Sequence, residues 1–310
     1  MTRIGLVGNP ARLQPFIELL SDSSEVILSG IHNRESAIHT FDNLLDQPAL
    51  IFQDEDELIS GSDAIIFAHF NSCEFNLAKK ALKASRHIFL DPCDIIPSDI
   101  LSEIHKLGEE AGVLYYLKHK PLNGDFQTRL ETHYGSPEFL DVYRYVPAGK
   151  ENRLKEIQMI IRQELLFVFS LNNHELKKHH LKTVPYSSWN PYIINVRFEF
   201  SNSSAANLTI NFFTQNNSRF TELFYNENIL RLNSGKSEIE LINRQTGTFK
   251  VNRNSHNLEN ELRNSEEIER FISILNTKQF PAGFKQSGLS AHQHVWGIVR
   301  HISEVKVSQS

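Results

Sequence analysis

The sequence lacks the features of disulfide-rich, nucleic-acid-binding and membrane proteins. It has only two cysteines, Cys73 and Cys93, in 310 residues, which argues against a disulfide framework. Basic residues are not in excess, because 32 lysines and arginines face 37 aspartates and glutamates. No positive field therefore attracts nucleic acid or an anionic membrane. No apolar run approaches the ~20 residues that span a bilayer, and the N-terminal run is too short for a signal peptide. We therefore expect a cytoplasmic protein without nucleic-acid or membrane partners.

The residues that are present are those of an ordinary globular protein. Hydrophobic residues make up 40% and charged residues 22% of the sequence, which fits a folded chain with a sizeable core. A length of 310 residues is enough for two domains. The pattern of hydrophobic residues changes near residue 120, so we predict one domain over residues 1–120 and a second over residues 121–310.

Apolar runs alternate with helical patterns throughout the first 120 residues. The runs that read as short buried strands are residues 4–7, 25–31, 49–52, 62–68, 88–90 and 113–117. Continuous apolar strands suit a sheet that is covered on both faces. Strand and helix in regular alternation predict a parallel, doubly wound, Rossmann-like sheet.

The turn after the first strand resembles a dinucleotide-binding turn in part. The usual pattern is G-x-G-x-x-G, and Gly8 can fill its first position, whereas Pro10 and Leu13 occupy the other two. Asn9 and Pro10 begin the next helix, whose N-terminus offers partial positive charge to a phosphate. Pro10, however, has no N–H to donate. Two interpretations stay open: a cofactor turn formed by Gly8, Asn9 and Pro10, or the first unit of a sheet that binds no dinucleotide.

The end of the second strand bears on the choice of cofactor. NAD-binding folds carry an acidic residue there that binds the ribose hydroxyls, and Asn33 stands at about that position. Arg34 beside it can pair with a 2′-phosphate, which favours NADP over NAD. The alternative is that Arg34 is a solvated loop residue.

Residues 86–93 carry the most informative resemblance. A helix, a short apolar strand and a polar turn follow one another, as in the part of the glucose–fructose oxidoreductase/inositol dehydrogenase (Gfo/Idh/MocA) family that ends in Glu-Lys-Pro. The family's catalytic lysine lies in that signature. Here the three positions are Asp91, Pro92 and Cys93, so the sequence resembles the family in its strand but lacks the lysine.

The resemblance extends to the turn after the fourth predicted strand. In the family this turn lies beside the nicotinamide and reads roughly Thr-Pro-Asn-Ser-x-His. Asn71 and Ser72 match it, whereas Phe70 replaces the proline and Glu74 the histidine. The resemblance therefore implies that His69 and Asn71 face a bound cofactor.

The second half of the sequence predicts an α+β domain. Residues 154–171 have the spacing of an amphipathic helix, and residues 172–180 read as a polar, histidine-rich connector in a loop. Strand-like runs separated by polar turns then predict an open, mostly antiparallel sheet. In the family the helix carries a His-Asp-x-Asp run; here Ile161 takes the histidine position and Glu164 the last carboxylate.

The predicted sheet also suggests an oligomer. Phenylalanines and isoleucines alternate along its strands, and a broad open face of such residues needs cover. In the family one face of this sheet lies in a subunit interface. We therefore expect a homodimer or a higher oligomer.

The missing lysine and histidine leave three candidates for proton transfer: Asp91, Lys118 and His119. Lys118 and His119 follow the last predicted strand of the first domain and could reach the space of the missing lysine. Two functions follow from the resemblance. The first is a divergent member of a sugar or polyol oxidoreductase family that binds a nucleotide or another small ligand, or serves as a partner protein, without standard catalysis. The alternative is an active NAD(P)-dependent oxidoreductase with relocated acid/base groups.

Overall fold

The computed structural model consists of two compact units. The first contains Met1–His119 and Ser265–Trp296, and the second contains Lys120–Asn264 and Gly297–Ser310. The residues that the structure describes are 1–32, 51–52, 54–119, 130, 132–147, 154–172, 174–184, 191–234, 236, 238–247, 249–252, 265–278 and 284–304.

Seven helices of at least seven residues fall within these residues, and residues 130 and 132–134 are also helical. In chain order they are α1 Pro10–Ser21, α2 Glu55–Gly61, α3 Phe75–Lys83, α4 Ser98–Ala111, α5 Leu154–Leu171, α6 Ser265–Thr277 and α7 Phe284–Glu304. Among the described residues, no helix is both long and apolar enough to cross a bilayer.

The first unit is built on a five-stranded parallel sheet, as the alternation of strands and helices predicts. The strands are β1 Thr2–Val7, β2 Val26–His32, β3 Ala64–Phe70, β4 His87–Pro92 and β5 Tyr115–Leu117. They lie in the order β2-β1-β3-β4-β5. A sixth strand was expected at residues 49–52, but in the described part of this segment Ile51 forms only a single bridge to Ile31.

Both faces of the parallel sheet are buried. On one face, Ile4 and Leu6 of β1 pack with Phe16 of α1 in one core cluster. On the other face, Ile65 and Phe67 of β3 share a second cluster with helices α3 and α4. Because both faces are apolar, polar side chains of the central strands are confined to the strand ends.

Helix α6 belongs to the first unit, although the sequence places it far beyond residue 120. Ile268, Phe271 and Leu275 are buried in the core cluster that also contains Ile4 and Leu6. The Phe271 ring lies 5.5 Å from the Phe89 ring of β4. Apolar packing on the sheet, rather than position in the chain, therefore decides where this helix lies, and one cut at residue 120 does not separate the two units.

The second unit contains an eight-stranded sheet, which is mostly antiparallel as predicted. Its strands are β6 Phe139–Pro147, β7 Leu176–Val184, β8 Ile193–Phe200, β9 Ala205–Thr214, β10 Ser218–Phe224, β11 Asn228–Asn233, β12 Glu238–Asn243 and β13 Phe249–Asn252. Their order is β13-β12-β11-β10-β6-β9-β8-β7. The central pair β6 and β9 is parallel, and the other pairs are antiparallel.

Strand β7 corrects the prediction of a histidine-rich loop. Its residues form an edge strand that pairs with β8 from Leu176↔Phe200 to Val184↔Ile193. Pairing with a neighbouring strand overrides the polar composition, which contains little hydrophobic alternation. Exposed lysines such as Lys177 and Lys178 also suit a sheet edge, because they oppose pairing with another chain.

The phenylalanines and isoleucines on one face of the central strands are covered within the chain. Phe198, Phe200 and Ile210 are buried, and the Phe169 ring of α5 lies 5.6 Å from the ring of Phe198. The alternate side chains of the strands are less buried and mostly polar. The broad apolar face expected from the sequence is therefore packed inside the second unit.

Helix α5 is joined to this sheet by a buried ionic cluster. Glu164 is 0% exposed and accepts two hydrogen bonds from Arg219 of β10, at 2.8 and 2.6 Å. Arg144 lies directly opposite Arg219 on β6, and its Nε is 3.2 Å from Glu164 Oε1. Burial lowers the pKa of Arg144, as does the neighbouring Arg219, whereas Glu164 opposes this shift. The glutamate therefore separates two guanidinium groups that would otherwise repel each other.

We predict that Glu164→Gln destabilises the second unit by about 3–5 kcal/mol, because it leaves two arginines without their buried carboxylate. Urea unfolding followed by circular dichroism measures the loss. Glu222→Gln is the matched control, because Glu222 pairs with Arg231 at 2.6 Å on the same sheet but the arginine is 38% exposed. That variant should lose no more than about 1 kcal/mol. Equal losses in the two variants would contradict the prediction.

Candidate functional site

The order of the parallel sheet brings the ends of its strands together. The carboxyl ends of parallel strands meet at one edge, where such sheets bind their ligands. The residues at or just after these ends, in spatial order from β2 to β5, are His32, Gly8, His69, Asp91 and Lys118. Four of these residues were predicted from the sequence as site residues, namely Gly8, His69, Asp91 and Lys118. His32 was not.

Gly8 forms the turn between β1 and α1 in a conformation that favours glycine. Its φ is +154°, and an added Cβ would lie 3.4 Å from Ala68 Cβ and 3.4 Å from a methyl carbon of Leu13. Leu13, at the third glycine position of the usual pattern, is fully buried in the core between helix and sheet. This bulky residue therefore packs into the core beneath the turn, and the turn keeps the glycine that it requires.

The N-terminus of α1 is partly satisfied by the chain itself. Helix α1 begins at Pro10, and the side chain of Asn9 accepts a hydrogen bond of 3.1 Å from the N–H of Arg12. The N–H of Gly8 donates to the carbonyl of His32 at 3.3 Å. A phosphate at this turn therefore meets the helix dipole but fewer free N–H groups than a glycine-rich turn provides.

Two histidines with unsatisfied ring nitrogens flank this turn. His32 is 4% exposed, and its Nδ1 lies 2.9 Å from the carbonyl of Phe52, whereas its buried Nε2 has no hydrogen-bond partner among the described residues. His69 likewise has a buried Nδ1 without a partner in the described part of the chain. Buried polar atoms are normally hydrogen-bonded, so such atoms indicate a ligand or solvent.

These observations decide how well the site fits a dinucleotide. The glycine turn at Gly8, the helix N-terminus and the open ring nitrogens of His32 and His69 suit a polar, phosphate-bearing group. The residues present therefore fit such a cofactor. Asn33 and Arg34, the residues predicted to distinguish NADP from NAD, lie outside the described residues.

The turn after β3 is held by its own side chains. The N–H of Asn71 donates to Glu74 at 3.0 Å, and the Asn71 side chain accepts from the N–H of Cys73 at 2.7 Å. The thiol of Cys93 donates to the carbonyl of Phe70 at 3.3 Å, and burial raises the pKa of that thiol, although Asn71 partly opposes the shift. Asn71 and Glu74 therefore shape the turn that leads into α3, and Cys93 is a poor nucleophile.

Asp91 and Lys118 form the charged pair of the site. Lys118 Nζ lies 2.9 Å from Asp91 Oδ2, and the two side chains are 14% and 20% exposed. The two residues come from neighbouring strands, and the N–H of Lys118 donates to the carbonyl of Leu90 at 2.9 Å. An ammonium group therefore lies beside the Asp-Pro-Cys segment that replaces the lysine-containing signature of the resembled family.

His119 is placed differently from its neighbour. It is 6% exposed; its Nδ1 lies 3.1 Å from the carbonyl of Leu117 and 3.9 Å from Glu267 of α6. Glu267 also accepts a hydrogen bond of 2.5 Å from Tyr116, and burial raises the pKa of that tyrosine well above its usual value. Of the three proposed catalytic residues, the structure thus joins Asp91 with Lys118 and places His119 in a separate buried network.

The second unit contributes no histidine at the position where the resembled family has one. Ile161 is buried in α5, and Glu164 is held in the ionic cluster with Arg144 and Arg219. The described residues also contain no group of three or more histidines, cysteines or acidic residues that could hold a metal ion.

Sequence reasoning missed two histidines that the tertiary structure brings to this region. His32 is the last residue of β2 and directly precedes the predicted pair Asn33 and Arg34. Its position at a strand end could therefore have identified it as a site residue. His292 of α7 contacts the backbone of Lys118, although it follows it by more than 170 residues. No local pattern indicates that contact.

Comparisons with known proteins identify the fold of the chain. No protein-family model and no curated protein sequence matches the chain. A UDP-N-acetylglucosamine 3-dehydrogenase from Acidithiobacillus ferrooxidans superposes with a TM-score of 0.75 at 16% identity, over 99% of this chain and 98% of that one. A Gfo/Idh/MocA family oxidoreductase from Vibrio cholerae gives 0.77 at 13% identity over 100% of both chains. A biliverdin reductase from Synechocystis, solved with biliverdin and NADP+, gives 0.71 at 15% identity over 96% and 98%. The chain therefore has the fold of the Gfo/Idh/MocA oxidoreductases, with a Rossmann-like unit and a second, mostly antiparallel sheet.

Proposed function

We propose that the protein is an NAD(P)-dependent oxidoreductase acting on a small hydroxyl or carbonyl compound such as a sugar or polyol, with Lys118 as its proton-handling residue. The observation that carries the proposal is the 2.9 Å contact between Lys118 Nζ and Asp91 Oδ2 at the strand ends. Solved structures with this fold include dehydrogenases and a reductase bound to NADP+, which supports the cofactor class.

In this proposal Lys118 donates a proton to a substrate carbonyl oxygen during reduction. During oxidation its ammonium first releases a proton to solvent, and the neutral amine then accepts one from the substrate hydroxyl. Asp91 holds the ammonium in place and balances its charge, since a largely buried cation without a partner is costly. A nicotinamide cofactor supplies or accepts the hydride. The residues proposed to surround the cofactor are Gly8, Asn9, Pro10, His32, Asn33, Arg34, His69 and Asn71.

A second candidate function is ligand binding without catalysis. Its supporting observation is that an apolar residue, Ile161, stands in α5 where the resembled family has a histidine, and that it is 2% exposed. Under this proposal the protein binds a nucleotide or another small molecule, or acts as a partner protein, and turns nothing over.

Replacement of Lys118 separates these functions. We predict that Lys118→Met lowers the rate of NADPH- or NADP+-dependent turnover by about 10²–10⁴-fold, which is the usual contribution of a general acid. Turnover is measured with UDP-N-acetylglucosamine, myo-inositol and biliverdin as probes, and dinucleotide affinity by calorimetry. The affinity should change by no more than about twofold, because Lys118 acts on the substrate.

The matched control is Lys80→Met, because Lys80 pairs with Glu55 at 3.0 Å on the surface of the same unit. This variant should have the same turnover rate as the unmodified protein. Dinucleotide binding without turnover of any probe would favour the binding function, and an active Lys118→Met variant would contradict the role of Lys118.

We also propose that NADP is preferred over NAD, on the basis of Arg34 in the sequence. A guanidinium group beside the ribose pairs with a 2′-phosphate. Arg34→Ala should therefore weaken NADPH binding by about tenfold, consistent with the loss of a charge-assisted contact, and leave NADH binding unchanged. Parallel titrations of both cofactors measure the difference. Equal loss for the two cofactors would contradict a 2′-phosphate contact.

A homodimer or higher oligomer, formed through the face of the second sheet that α5 does not cover, is the remaining part of the proposal. This face carries the neighbouring rings of Phe139 and Phe224, 5.6 Å apart, beside charged residues such as Asp141 and Arg231. We predict that sedimentation equilibrium gives at least twice the 35.7 kDa mass of the chain. Arg231→Glu, which reverses one charge on that face, should weaken the assembly. A monomer at micromolar concentration would contradict the proposal.

A further inference from the structure

The carboxyl end of β5 is fixed from outside the sheet by helix α7. His292 is 2% exposed, and its Nε2 lies 2.9 Å from the carbonyl oxygen of Lys118. A carbonyl can only accept, so Nε2 carries the hydrogen and donates it. The imidazole thus contacts the backbone of the residue whose side chain pairs with Asp91.

A second feature of α7 brings the helix close to the same strand end. At Gly288, one helical turn before His292, an added Cβ would lie 2.3 Å from the carbonyl oxygen of Leu117 and 3.0 Å from Nδ1 of His119. Real Cβ atoms do not approach a backbone oxygen so closely. The glycine is therefore required for α7 to pack against β5 at this distance.

The two polar backbone groups of Lys118 are both occupied as a result. Its N–H donates to Leu90 of β4 at 2.9 Å, and its carbonyl accepts from His292 of α7 at 2.9 Å. With the N–H and the carbonyl held by different elements, the Cα–Cβ direction of Lys118 is fixed. The position of Nζ beside Asp91 then depends only on the rotamer of the side chain.

We propose that His292 is a positioning residue for Lys118, and that Gly288 allows it to act by letting α7 approach. The inference rests on the proposed function, because it assigns His292 a role through Lys118. His292 itself touches no reacting atom in this proposal. Misplacement of a catalytic group by about 1 Å can lower a rate by about 10²-fold. A hydrogen bond to the backbone of Lys118 can therefore matter for turnover without contributing to cofactor binding.

The first test uses the unmodified protein. Nitrogen-15 NMR of histidine-labelled protein reports which ring nitrogen carries hydrogen, and His292 is assigned by the loss of its signals in His292→Gln. We expect Nε2 of His292 to be protonated. An Nε2 without hydrogen would overturn the proposal, since such a nitrogen cannot donate to the Lys118 carbonyl.

The second test follows the Lys118 side chain directly and needs neither cofactor nor substrate. Reductive methylation with carbon-13 labels lysine amines, and the Lys118 signal is identified by its absence in Lys118→Arg. We expect His292→Leu, which removes the donor, and Gly288→Ala, which displaces α7, to shift this signal by more than its line width. His292→Gln should keep the signal near its original position, because the glutamine amide can donate from a similar distance.

The matched control is His294→Leu. His294 lies two residues further along the same helix, and its Nε2 lies 3.3 Å from Ser290 Oγ of that helix. Its replacement removes a histidine of α7 without touching the Lys118 carbonyl, so the Lys118 signal should stay in place. A shift of equal size in His294→Leu would mean that loss of any histidine disturbs α7, and would overturn the specific role of His292.

Turnover then connects the contact to function. With any of the three probes that is turned over, His292→Leu should lower kcat by about 10–100-fold with KM within about twofold, and His292→Gln should recover most of the rate. A folded His292→Leu variant with an unmoved Lys118 signal overturns the positioning role, whatever its activity. A second outcome is that His292→Leu shifts the Lys118 signal but Lys118→Met does not change turnover. That outcome supports the contact between His292 and Lys118 and contradicts the proposed function. If His292→Leu does not fold, the tautomer measurement and Gly288→Ala decide the question.

Discussion

Burial of the parallel sheet on both faces is the constraint on which the candidate site depends. Strands β1, β3 and β4 lie between two apolar clusters, and their central residues, such as Ile4, Ile66 and Phe89, are fully buried. Polar groups are costly within such a sheet unless they are paired. They therefore appear where the strands end, and the parallel direction of all five strands collects these ends at one edge.

The charged pair at this edge joins residues from two neighbouring strands, and the proposed function rests on it. The segment that resembles a lysine-bearing signature carries Asp91, which accepts but does not supply a cation. Lys118 comes from the end of β5 and places its ammonium on that carboxylate. A largely buried pair of this kind gains little stability over apolar residues of similar size. Its place at the ends of the parallel strands is the reason that the proposed function assigns it a role.

The second unit uses a buried charge in another way. Glu164 joins α5 to two strands through Arg144 and Arg219, and the guanidinium group of Arg219 also lies 4.4 Å from the Phe167 ring centroid. The cluster fixes the helix on the sheet at the level of β6 and β10. In the resembled family the corresponding part of this helix carries catalytic groups, whereas here its glutamate is engaged with the sheet and its neighbour Ile161 is in the core.

The sequence by itself determined the fold class and the five strands of the parallel sheet, although it also predicted a strand at residues 49–52. Apolar runs separated by helical patterns are local signals, so β1, β3, β4 and β5 could be predicted from residues near one another. Gly8, Asp91 and Lys118 could likewise be proposed because parallel strands place their ends together. Only the tertiary structure decided that β7 is a strand, that α6 packs on the first unit, and that Lys118 reaches Asp91 whereas His119 joins Glu267. It also decided the contact between His292 and Lys118. These outcomes depend on pairing and packing between segments up to 274 residues apart, and no local pattern of residues encodes such a distance.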